Sequence, residues 1–332
     1  MVHLEGKKVL LIAAKLFNYE KEIHKELEKQ GTMVTLYDQR PSNDFLTKVL
    51  IRLNIKPLIQ QKINNYYEKI IKENANIAYD YIFLISPEAI DYTILKKIKE
   101  SQQEAKVFIY MWDSIKNKKQ ALSLLPLSDK FFTFDSTDIA INNKINFLPL
   151  FYINDYKDIK VFKKPLYDIA FIGTVHSDRY RIVKEIEKFA IKNDLSTYFY
   201  FYSPSKLLFW IKKLLDKDFW IINKKDISFK PLSKENILEI IESTKVVVDI
   251  EHPSQNGLTM RTIEMLGANR KLLTTNKSIK NYDFYDTSNI EILNRNRIEV
   301  DKSFFMTSFN EIDVSIYKKY SLETWIKNIF TN

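Results

Sequence analysis

The run Asp249-Ile-Glu-His-Pro-Ser-Gln-Asn-Gly-Leu-Thr-Met-Arg-Thr-Ile-Glu-Met-Leu-Gly267 holds the densest set of residues suited to chemistry. Its apolar start predicts a strand ending at Ile250. A polar loop with His252, Asn256 and Gly257 follows, and a helix begins near Leu258 or Thr259. A helix N-terminus behind a glycine offers free amides and the positive end of a dipole to an anion. Arg261 in the first turn adds a forked phosphate donor. Glu264, three residues on, shares its face and suits the two hydroxyls of a ribose. The plainer alternative is an internal Arg261–Glu264 pair that only holds the helix. A second candidate anion position is Gly173, directly after Phe171-Ile172 and before Thr174, His176 and Arg179. A glycine there exposes amides and lets a ligand approach, or it simply makes a turn. His176 and His252 are two of the four histidines and fall in these two loops, where they are expected as donors unless merely exposed.

Were the anion held there a leaving group, preorganised donors would have to stabilise its departing charge. Arg261 with the amides near Gly257, Leu258 and Thr259 is expected to do that without a metal, since the acids near strand ends are scattered. An inverting reaction would also need a general base, for which Asp113, after the run Val107–Met111, and Asp135, after Phe131–Phe134, are the candidates. Both are also placed to cap helices or turns. Lys15 is a further candidate facing the same way. The first turn, Ala13-Ala14-Lys15-Leu16-Phe17, has no glycine, which argues against nicotinamide or flavin binding, and no P-loop motif occurs. With no cysteine, thiolate chemistry and disulfides are excluded.

The elements that must position these residues alternate. Apolar runs 9–14, 33–37, 81–85, 106–111 and 131–134 predict strands between helices at 20–30, about 43–74 and 92–100. Gly31 ends the first helix in a left-handed conformation. The polar stretch 151–165 breaks the pattern and reads as a hinge. Strands at 167–172, 196–202, 227–229, 246–250 and 272–275 follow, between helices at 179–192, 233–243 and 259–267. Alternation of this kind predicts parallel sheets covered on both faces, hence two Rossmann-like α/β domains, 1–155 and 165–312. A last helix over 321–330 carries Leu322, Trp325, Ile326, Ile329 and Phe330 on one face and is expected to pack back on the first domain. A cleft between the carboxyl ends of the two sheets is the expected ligand site.

Length and composition agree with two soluble domains: 332 residues, 45% hydrophobic and 28% charged. No apolar run approaches the ~20 residues of a membrane span, and the short apolar run near the N-terminus reads as a first strand, so a cytoplasmic location is expected. The net charge is +9, and residues 203–234 hold eight lysines against three acids. Within 205–225, leucines at helical spacing stand among lysines, Trp210 and Trp220. That segment suits peripheral contact with an anionic membrane at the inner face, unless its apolar stripe is core. Arginine forks for base and phosphate readout are few, so nucleic acid is not expected as a partner.

Phe171-Ile172-Gly173, Gly257-Leu-Thr-Met-Arg261-Thr-Ile-Glu264 and Leu272-Leu-Thr-Thr-Asn276 resemble bacterial glycosyltransferases of capsule and lipopolysaccharide loci, the group that includes spore-maturation glycosyltransferase-like proteins. The resemblance covers mainly 167–280, with looser support from Gly31 to Asp38 and Met111-Trp-Asp113. It implies a GT-B architecture, a nucleotide-sugar donor held by the second domain, Glu264 on the donor ribose, and a glycan or lipid-linked acceptor. The chain departs from the E-x7-E pattern of related retaining enzymes: Asn256 stands eight residues before Glu264, and the nearest earlier glutamate is Glu251. Inversion and retention therefore both stay open. Transfer of a polyol phosphate, or a non-catalytic basic module binding nucleic acid or membrane, are the alternative functions.

Overall fold

A computed structural model describes residues 4–15, 18–52, 55–160 and 165–331, with the Arg52 side chain excepted. The chain forms two compact units, Met1–Pro149 with Leu322–Asn332, and Leu150–Ser321. The expected domains were 1–155 and 165–312; the second unit here begins at Leu150 and so takes in most of the expected hinge. Residues 161–164 of that hinge lie outside the described residues, as do Leu16 and Phe17 of the first turn.

In the first unit, β1 (Lys8–Ala13), β2 (Met33–Asp38), β3 (Tyr81–Ile85), β4 (Lys106–Met111), β5 (Lys130–Thr133) and β6 (Ile145–Phe147) make one sheet in the order β2-β1-β3-β4-β5-β6. All its pairings are parallel. Buried on both faces, its central strands read as continuous apolar runs such as Tyr-Ile-Phe-Leu-Ile. The helix Tyr19–Lys29 ends ahead of Gly31, whose φ of 89° is the left-handed conformation expected there. The single helix expected over about 43–74 is instead two, Phe45–Arg52 and Gln60–Glu73, with a 3-10 turn at Lys56–Ile59 between them. Pro57 explains the break: it removes an amide and disfavours helix at the residue before it. Residues 53 and 54 of that stretch lie outside the described set.

The second unit holds β7 (Tyr167–Thr174), β8 (Thr197–Tyr202), β9 (Ile227–Ser228), β10 (Thr244–Asp249), β11 (Lys271–Thr274) and β12 (Ile290–Ile292). The order is β12-β11-β10-β7-β8-β9, again all parallel. Counted within the unit this is a doubly wound sheet whose strand order reverses between β7 and β10. Crevices at such reversal points, outside the carboxyl ends of the strands, are where ligands bind. Strands β6 and β12, of three residues each, were not foreseen because so short a run has no readable period.

The helix Leu322–Phe330 closes the first unit. Its Trp325 ring stands 4.7 Å from that of Tyr110, and Phe330 lies within 5.0–5.6 Å of Tyr81, Phe83 and Phe108. In the second unit Gly267 is the last residue of the helix Met260–Gly267. A Cβ there would sit 2.6 Å from Cγ of Tyr152, so only glycine lets the two segments meet.

Candidate functional site

The loops singled out from sequence in the second unit follow β7 and β10, the two strands that flank the reversal point of its sheet. Arg179, at the start of the helix Arg179–Lys192, stitches the two strand ends across it. Its Nε donates to the Ile250 carbonyl at 2.6 Å, after β10, and Nη1 to the Thr174 carbonyl at 3.2 Å, at the end of β7. Between them Ser177, at φ 44°, bends the chain from β7 into the helix.

The loop from β10 to the helix Met260–Gly267 is pinned from both sides. Asp249 accepts from the hydroxyls of Thr259 at 2.5 Å and Thr262 at 2.7 Å, tying the strand end to the helix start. Thr259 is also the helix cap, accepting from the Thr262 amide. Asn276, after β11, donates Nδ2 to the carbonyls of Asn256 at 3.3 Å and Gly257 at 3.2 Å. The carbonyl side of the turn is therefore engaged. Among the described residues the amides of Gly257, Leu258 and Thr259 make no hydrogen bond. Free amides ahead of a helix N-terminus are donors of the kind that anions take up. Leu258 anchors the turn in the core, while Asn256 is exposed.

Arg261 and Glu264 form the pair set out above as the plainer reading, Nη1 to Oε2 at 3.0 Å, with Glu264 buried. The pair fixes both side chains on the turn that follows the free amides. A guanidinium has donors enough for a carboxylate and a phosphate together.

The histidine loops do come together, with the rings of His176 and His252 5.6 Å apart. His176 is partly buried, its Nδ1 2.8 Å from the Ser177 hydroxyl; His252 is exposed and similarly placed against Ser254. Burial, with Arg179, His252, Lys212 and Arg295 nearby, pushes the His176 pKa down to about 3. It is neutral at physiological pH and keeps one N–H to donate. Gly173 was expected directly after the strand. It lies inside β7, and a Cβ there would sit 2.7 Å from the Phe171 ring two residues back on the same face, so packing dictates the glycine.

Sequence reasoning missed Arg295. Its Nη1 donates to Asp178 at 2.6 Å, and Nη2 to the Glu251 carboxylate at 2.5 Å and the Thr275 hydroxyl at 3.1 Å. One side chain thus joins the loops after β7, β10 and β11. The available signal was Asn294-Arg-Asn-Arg297 after the unrecognised strand β12. Without that strand, nothing placed Arg295 at the carboxyl edge. Burial lowers the Arg179 pKa; the nearby carboxylates of Asp249 and Glu251 oppose that shift, and the guanidiniums of Arg295 and Arg261 add to it.

In the first unit, Asp135 is buried and caps the 3-10 turn Ser136–Ala140, accepting from the amide of Thr137 at 3.0 Å and its hydroxyl at 2.7 Å. This is the capping role that stood beside the base in the sequence reading. Asp113 is exposed just beyond β4, and Lys15 is exposed beyond β1. Among the described residues no group of three or more histidine, aspartate or glutamate side chains is arranged to hold a metal ion. Also among them, no helix is long and apolar enough to cross a membrane.

No family model and no curated protein sequence matches the chain. Solved structures do. HepE of Anabaena, in complex with UDP and glucose, superposes with a TM-score of 0.60 at 8% identity, covering 98% of each chain. A glycosyltransferase from Rickettsia africae gives 0.57 at 13%, covering 98% of this chain and 99% of that one. The lipopolysaccharide outer core galactosyltransferase WaaB, in its apo form, gives 0.53 at 11%, covering 97% and 98%. What the chain shares with them is the two-domain α/β fold of the GT-B type.

Proposed function

We propose that the chain is a glycosyltransferase that moves a sugar from a nucleotide-sugar donor to a glycan or lipid-linked acceptor in bacterial surface polysaccharide synthesis, at the cytoplasmic face of the inner membrane. One observation carries the reading: three unengaged amides, followed within one turn by the Arg261–Glu264 pair, at the reversal point of a doubly wound sheet. The likeness to HepE, solved with UDP and glucose, and to WaaB, a galactosyltransferase, supports it.

In this reading the amides of Gly257 to Thr259 take the diphosphate, and Arg261 reaches it while keeping Glu264 oriented toward the donor ribose. As the glycosidic bond to the diphosphate breaks, negative charge grows on the leaving oxygen. Donors already aimed at it stabilise that charge without reorganisation, an effect worth on the order of 10²–10³ in turnover for one well-placed donor. Neutral His176 donates from the facing loop. These donors are expected to serve without a metal, so turnover should survive a chelator. On the acceptor side Asp113, exposed beyond β4, is the base for the attacking hydroxyl.

The test is a thermal-shift panel of UDP, GDP, CDP, CMP and TDP, since a ligand that binds only the folded chain raises its melting temperature. One nucleotide should stabilise selectively, and Glu264→Ala should abolish the shift. Arg261→Ala should lower turnover with the matching nucleotide sugar. A panel with no response, or a response indifferent to Glu264, removes the reading.

A further inference from the structure

The helix Lys206–Leu215 is turned inside out. Leu207, Leu208, Trp210, Ile211, Leu214 and Leu215 are exposed, Leu214 and Leu215 to 77% and 81%, while Phe209 alone is buried, stacked near Phe219 and Phe229. At 100° per residue the outward side chains span an arc of about 160°. Lys206 and Lys212 border that arc. The next turn repeats the arrangement, with Phe219 and Ile222 buried and Trp220 and Ile221 each 57% exposed. The surface is held in place: Ser205 caps the helix, and Lys213 donates to the carbonyls of Phe219, Trp220 and Ile222. Of the two readings of this segment, core stripe or outward face, the burial selects the second.

We propose that this face docks the protein on an anionic phospholipid bilayer, the helix lying in the interface with its leucines in the acyl region and Trp210 and Trp220 at headgroup depth. Charge decides the occupant. Residues 203–234 carry eight lysines against three aspartates, so a second copy of the same face would meet like charge, whereas a bilayer of acidic lipids meets its complement. A wide aliphatic arc edged by lysine and tryptophan is the pattern of an interfacial helix. The inference does not rest on the nucleotide-sugar reading, and no residue of that site belongs to the face.

The experiment is flotation of the full chain with vesicles of phosphatidylcholine alone and of phosphatidylcholine mixed equally with phosphatidylglycerol. The chain should float with the mixed vesicles, at least about tenfold better than with neutral ones, and added salt should weaken it. Leu214→Glu with Leu215→Glu should abolish flotation while leaving the melting temperature and any nucleotide shift unchanged. Lys217→Gln with Lys225→Gln, which leaves the apolar arc intact, should lose only the preference for acidic lipid. Brominated lipid should quench Trp210 and Trp220, a signal that Trp210→Phe reduces. Failure of the folded chain to float with acidic vesicles at low salt overturns the proposal. So does unchanged flotation of the double glutamate variant, or a concentration-dependent dimer that this variant dissolves while no vesicle binding is seen.

Discussion

Two helices with the same kind of sequence pattern end on opposite sides of the protein–water boundary. Leu322–Phe330 and Lys206–Leu215 are both strongly amphipathic, and each carries a tryptophan among leucines and isoleucines. The first buries Leu322, Trp325, Ile326, Ile329 and Phe330 against aromatic rings of the first sheet. The second sends its leucines to solvent and keeps one phenylalanine inside. Periodicity therefore reports that a helix has an apolar face, but not what that face meets. The sheet decides: the first unit offers Tyr81, Phe83, Phe108 and Tyr110 as a waiting surface, while the core of the second takes Phe209 alone from the helix Lys206–Leu215.

The sharpest way to break this contrast is to cut the anchors. Trp325→Ala should destabilise the first unit by about 3–5 kcal/mol in denaturant titration, because a large buried ring leaves a cavity. Phe209→Ala should cost about 3 kcal/mol and loosen the outward helix, measurable as faster amide exchange over 206–222. A cost near zero would mean the helix is held by something else. Gly267→Ala forces a methyl onto the Tyr152 ring and should cost about 1–3 kcal/mol.

A subtler effect reaches from the outward helix to the candidate site, since Lys212 is among the cations that depress His176. With a folded value of about 3 against about 6.5 when unfolded, the unfolded chain takes up this proton first. The contribution is complete above about pH 6.5 and is lost as the pH falls from there toward 3. His176→Gln should flatten the stability profile in that window, read by denaturant titration at successive pH values; parallel profiles would refute it. The smallest effect is itself a prediction. Leu214→Glu should change stability by no more than about 0.5 kcal/mol, because the side chain is already in water.

Much of the fold was legible. Long apolar runs gave β3 and β4 at their observed ends, and the 3.6 period gave Arg179–Lys192. The two three-residue strands were not, and with β12 went Arg295, whose partners lie more than a hundred residues before it at Asp178 and forty-four before it at Glu251. The glycine–arginine–glutamate run was visible because its members are neighbours in the chain. What holds that run, Asp249 on two hydroxyls and Asn276 on two carbonyls, comes from side chains whose types alone suggest no role.

Sequence by itself determined the alternation of strands and helices and hence two parallel sheets, because burial on both faces writes itself into runs of apolar residues. It also determined where a helix begins behind Gly257, because caps and glycines act on their nearest neighbours. Tertiary structure alone decided that Arg179 bridges two strand ends, that His176 meets His252, and that one amphipathic helix faces inward and another outward. Those outcomes depend on which surfaces distant segments bring within a few ångströms of each other, and local spacing carries no record of that.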